Sequence, residues 1–125
     1  MNPTAALDHS ALTALYRADP FFTGLYIEAS RGTGRILVPS LAALAAEHRV
    51  PRACKHTTGL RSSEGVEFTA GHAIDAMAWP DAEWPAVHAA AIAWNAACGG
   101  KPATVLSLVP DLYATTGIVP LDPTA

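Results

Sequence analysis

Asp8, with the Ser10 hydroxyl two residues further on, is the place in this sequence best suited to chemistry. The short apolar run Thr4-Ala5-Ala6-Leu7 precedes it and reads as a buried strand. A helical stretch follows. In open parallel α/β sheets, ligands bind outside the carboxyl ends of the strands. An oxygen ligand there suits a hard divalent cation such as Mg²⁺, which keeps several of its waters. The same two residues also suit a plainer task, because Asp and Ser are preferred helix N-caps.

Other reactive side chains carry weaker patterns. Cys54 and Cys98 are far apart and form no CxxC, so they read as buried free thiols. Cys54-x-His56 has no second pair at zinc spacing. No serine sits in a Gly-x-Ser-x-Gly elbow. His88 lies in an alanine-rich stretch and reads as a partly buried histidine. Trp79, Trp84 and Trp94 offer surfaces for base stacking, for core packing or for a dimer contact.

Charge is distributed unevenly. Residues 1–63 carry seven basic and four acidic side chains, whereas residues 64–125 carry one basic and seven acidic. Arg31, Arg35, Arg49, Arg52, Lys55 and Arg61 crowd one segment. A basic patch is the electrostatic footprint of nucleic-acid binding, and it is also what a solvated face looks like.

The elements that must position these groups alternate. A helix is expected over residues 10–18, and Asp19-Pro20 starts another that runs to about Arg31. Gly32 and Gly34 end it, and Ile36-Leu37-Val38 forms the second strand. Pro39-Ser40 opens a helix from Leu41 to Arg49. Residues 50–64 read as a loop with room for a short helical turn. Val66-Glu67-Phe68 is expected as a third strand, and Thr69 caps a helix through Met77. Pro85 begins the longest helix, to about Cys98, and Ala103 to Leu106 is the fourth strand. Val109-Pro110-Asp111 begins a helical turn, and Ile118-Val119 suggests a fifth strand. Strands alternating with helices imply one α/β domain: a three-layer α/β/α sandwich around a mainly parallel sheet of four to five strands. No Gly-rich dinucleotide or P-loop fingerprint follows any strand.

The bounds agree with a single domain. The chain has 125 residues, is half apolar and only 15% charged, and contains 26 alanines. No apolar run approaches a membrane span, and no signal-peptide pattern opens the chain, so a cytoplasmic protein is expected.

The order of these motifs resembles the PIN domain in its small, bacterial toxin form. The carrying residues are Asp8-His9-Ser10-Ala11-Leu12, Ile36-Leu37-Val38-Pro39, His88-Ala89-Ala90-Ala91, Thr104-Val105-Leu106-Ser107 and Pro110-Asp111-Leu112-Tyr113. The resemblance spans nearly the whole chain. It implies a metal-dependent ribonuclease in which three or four acids at the strand ends hold Mg²⁺ or Mn²⁺, a homodimer, and neutralisation by an antitoxin protein.

The chain departs from that pattern. Asp8 matches the first acid. The second is expected near Ala45 or Ala46, and Glu47 lies one or two residues beyond, about 100–200° around a helix. Ala86 and Val109 occupy the third and fourth positions, with Glu83 and Asp111 nearby. The expected centre is therefore degenerate, and a binding role in RNA or protein recognition follows, with Ser10, Arg49, Arg52 and Lys55 as RNA contacts. The alternatives are an active ribonuclease using Asp8, Glu47, Glu83 and Asp111, and a structural homodimer module.

Overall fold

The computed structural model describes residues 3–124. In chain order it contains β1 (Thr4–Leu7), α1 (His9–Tyr16), α2 (Pro20–Ser30), β2 (Arg35–Pro39) and α3 (Ser40–Arg49). Then come α4 (Ala53–Thr58), β3 (Glu64–Val66), α5 (Ala70–Ala76), α6 (Trp84–Cys98), β4 (Thr104–Leu106) and a 3₁₀ turn (Pro110–Tyr113). The four strands form an all-parallel sheet in the order β3-β2-β1-β4. Helices cover both faces, giving the three-layer α/β/α sandwich.

Strand periodicity divides the core. Leu7, Ile36, Val38 and Leu106 point into the cluster under α1 to α4, where Leu12, Phe22 and Ala46 are also buried. Ala6, Leu37 and Val105 point the other way, onto α6. The inner side of α6 is largely alanine (Ala86, Ala89, Ala90, Ala93). Small side chains there let the helix lie close to the sheet. His88 is fully buried between them. Its Nδ1 accepts from the Leu41 amide at 3.2 Å, and its Nε2 lies 3.2 Å from the Glu67 carbonyl. An accepting Nδ1 leaves the proton on Nε2, so this neutral ring ties α6 to the start of α3 and to the exit from β3.

Local chemistry sets the element boundaries. Asp19 caps α2 by accepting from the Phe21 and Phe22 amides, with Pro20 at the first helical position. Thr69 and His72 form a reciprocal capping box at α5.

Three segments differ from the sequence expectation. Residues 50–64 contain a true helix, α4. The third strand lies two residues earlier than expected, at Glu64–Val66, where the Arg35–Glu64 ion pair at 2.8 Å joins its start to β2. Phe68 instead packs its ring against His72 and His88. Ile118-Val119 is not a strand. Thr116 Oγ1 takes the Ile118 amide at 3.1 Å, Gly117 turns the chain at φ +76°, and Pro120 has no amide to donate. Only Leu121 reaches the sheet edge, as an isolated parallel bridge to Leu106.

The strand order also fixes where a site belongs. The chain steps from β1 outward to β3 on one side, then crosses to β4 on the other side of β1. The sense of winding therefore reverses between β1 and β4. At such a switch point the loops leaving the strands diverge and open a crevice. Asp8 follows β1 and Ser107 follows β4.

Candidate functional site

Asp8 is fully buried at the mouth of β1. Its Oδ1 accepts from the Ser10 hydroxyl at 2.6 Å and from the Ala11 amide at 3.0 Å, which makes it the N-cap of α1. Its Oδ2 accepts from the Tyr113 hydroxyl at 2.8 Å. Ser10 Oγ in turn accepts from the Leu108 amide at 2.9 Å, and the Asp8 amide donates to the Leu106 carbonyl. One carboxylate and one hydroxyl thus bind α1 to the segment leaving β4 and to the 3₁₀ turn. Burial, then the Asp8 charge and hydrogen bond, push the Tyr113 phenol well above its ordinary value, so it stays a donor.

The other acids named from the sequence do not join Asp8. Glu47 faces α4, where its two oxygens accept from the Arg52 amide at 2.7 Å and the Cys54 amide at 3.0 Å. Those bonds hold its carboxyl below the usual range. Asp111 is exposed and lines a shallow surface with Tyr113, Val119 and Pro120. Glu83 is the N-cap of α6 but makes no capping bond with its side chain. It lines a cleft beside His9, separate from the hydrogen-bonded Asp8 carboxylate. Among the described residues, no three His, Cys, Asp or Glu side chains come together as a metal-holding group. The residues present do not fit the carboxylate cage that Mg²⁺ or Mn²⁺ needs.

At the same end of the sheet, a cleft of about 270 Å³ lies between α1, α3 and α6, lined by His9, His48, Arg49, Glu83 and Trp84 among others. A second depression of about 400 Å³ adjoins it, with Ser10, Arg17 and Asp19. Arg49 and Val109 line both. His9 is buried, and its Nδ1 has no hydrogen-bond partner. Burial lowers the His9 pKa; the Arg49 charge works in the same direction, while Asp8 and Glu83 oppose it. Trp84 is half exposed, and its indole meets the His48 ring edge-on at 5.9 Å.

Of the basic residues named from the sequence, Arg49 lines the furrow directly. Arg52 and Lys55 are exposed on α4, which packs against α1 and α3, but they line neither depression. Among the described residues, only Arg31 and Arg35 form ion pairs. Sequence reasoning missed Tyr113, His9 and Arg17. Tyr113 lay inside a recognised motif, but nothing local marks a partner 105 positions away. His9 had a signal in its place beside Asp8 at the helix start.

The chain matches no family model and no curated protein.

Proposed function

We propose that this chain is a PIN-like domain that binds single-stranded RNA without cutting it, along the furrow at the carboxyl ends of β1 and β4. The observation that carries this reading is the commitment of Asp8 to the fold. Its carboxylate is fully buried and spent on Ser10, Ala11 and Tyr113, while Glu47 is spent on α4. A carboxylate with no exposed surface and three donors already on it is poorly placed to hold a cation. Beside it, the furrow presents what single-stranded binding uses: unpaired arginines for phosphates and an exposed aromatic ring for a base.

The test compares wild type with Asp8→Asn on end-labelled single-stranded RNA, with Mg²⁺, with Mn²⁺ and with EDTA. The expected result is retention without cleavage, at an affinity unchanged by EDTA. Metal-stimulated cleavage abolished by the substitution would restore the ribonuclease reading and make the chain a candidate toxin with an antitoxin partner.

A second reading, self-association, has an observation of its own. On or just after the packed helices α5 and α6, Ile74, Met77 and Trp94 are 67%, 78% and 45% exposed. Apolar side chains gathered on one surface mark interaction sites. Under this reading the protein sediments as a dimer, and Met77→Lys shifts it to monomer.

A further inference from the structure

We propose that the cleft formed by His9, Arg49, Glu83 and Trp84 is a pocket for one ribonucleotide unit bearing a 5′-phosphate, either the end of an RNA strand or a free nucleoside monophosphate. The inference rests on the RNA-binding reading for its ligand class and adds which part of the strand is held. Three chemistries line this one cleft, and they match the three parts of a nucleotide. The Arg49 guanidinium, which has no carboxylate partner among the described residues, suits a phosphate. The Glu83 side chain, unused by the helix it caps, accepts from ribose hydroxyls. The half-exposed Trp84 indole, braced edge-on by His48, offers a face to a base.

His9 separates this pocket from an ordinary charged surface. The residue is 97% buried yet lines the cleft, and its Nδ1 is shut in without a partner, so the Nε2 edge of the ring is the one that can meet a ligand there. Even a neutral imidazole carries one N–H donor for a phosphate oxygen. The cleft, about 270 Å³, is near the lower limit for small-molecule sites and suits one nucleotide rather than several. Glu83 sets a limit as well. Its charge opposes a bare anion, so inorganic phosphate alone gains less than a ligand that also brings hydroxyls and a base.

The test is a binding comparison on the intact chain. Short RNAs labelled at the 3′ end and carrying a 5′-phosphate or a 5′-hydroxyl are followed by fluorescence anisotropy. AMP and inorganic phosphate are titrated by calorimetry. The 5′-phosphate is expected to tighten RNA binding about tenfold, a difference lost in His9→Gln and Arg49→Ala. AMP is expected to saturate the protein, and Trp84→Ala, on an exposed side chain that tolerates change, to weaken AMP at least about fivefold while leaving inorganic phosphate unaffected. AMP binding as tight as that of 5′-phosphorylated RNA would identify the free nucleotide as the ligand. Equal affinity for the two RNAs with no uptake of AMP would overturn the pocket and leave RNA binding standing. Saturable AMP binding with neither RNA retained would do the reverse. Inorganic phosphate binding as tightly as AMP would reduce the site to a simple anion contact and overturn the proposal.

Discussion

Asp8 and Tyr113 show how a carboxylate at a strand end can serve architecture. The phenol donates to Asp8 Oδ2, while Ser10 and Ala11 occupy Oδ1. Tyr113→Phe leaves a buried carboxylate oxygen without a donor. The expected cost is about 1.5–3 kcal/mol, read as a lower midpoint in urea unfolding. Asp8→Ala should cost more, because it strands two hydroxyls and uncaps α1 together. A result within error of wild type for both variants would mean the network contributes nothing. His88 gives a prediction in pH. Burial, with the neighbouring His72, lowers its pKa from 6.5 to about 4. In the unfolded chain the ring regains its ordinary value and binds a proton that the native ring refuses. Stability is therefore fully present above about pH 6.5 and falls as the pH drops from there towards 4. The loss from this one ring is roughly 3 kcal/mol. His88→Gln keeps an acceptor and a donor but cannot titrate, so its unfolding midpoint should decline less steeply between pH 6.5 and 4. Parallel curves for the two proteins would sink the assignment.

Element boundaries respond to single residues in the same way. Ala18 ends the α1 corner at φ +60°, a conformation that penalises a Cβ. Ala18→Gly removes that penalty, less the extra freedom glycine has in the unfolded chain. A net gain of about 0.5–1 kcal/mol in thermal or urea unfolding is expected. Glu47 accepts from the first amides of α4, so Glu47→Ala should speed hydrogen exchange at the Arg52 and Cys54 amides and leave the amides of α1 unchanged. Both effects explain which elements could be read in the sequence. β1, β2, α2, α3, α5 and α6 announced themselves through apolar periodicity and cap residues, such as Asp19-Pro20 and Thr69, that act within a few positions. α4 did not, because its capping acid lies in the preceding helix and its entry residue, Arg52, sits at φ +79°. Ile118-Val119 misled for the opposite reason. The two residues have strand propensity, but Thr116 takes the first amide and Pro120 ends the run. The candidate site divides along the same line. Asp8 and Ser10 were legible as a local pair. The Tyr113 hydroxyl that completes them arrives through the order of the sheet, which no local pattern encodes.

At the scale of the molecule, the uneven charge of the sequence becomes a matter of pairing. The chain carries a formal charge of −3, yet among the described residues Arg17, Arg49, Arg52, Lys55 and Arg61 form no ion pair. Glu28 and Glu64, the acids that do pair, are engaged with Arg31 and Arg35. The free cations sit on or beside α1, α3 and α4, three helices packed together on one face of the sheet. An RNA strand leaving the furrow at Arg49 can run either towards Arg17 or over α4 towards Arg52 and Lys55. Salt dependence separates these paths, because each phosphate neutralised contributes about −0.7 to the slope of log affinity against log salt for single strands. Arg49→Ala should make that slope shallower by about 0.7 on either path. If the strand follows the furrow, Arg17→Ala does the same and the Arg52→Ala, Lys55→Ala double variant changes nothing. If it crosses α4, the double variant removes about twice as much and Arg17→Ala is silent. A slope unchanged in all three proteins would place the RNA elsewhere on the surface, and the furrow would lose its claim as the interface.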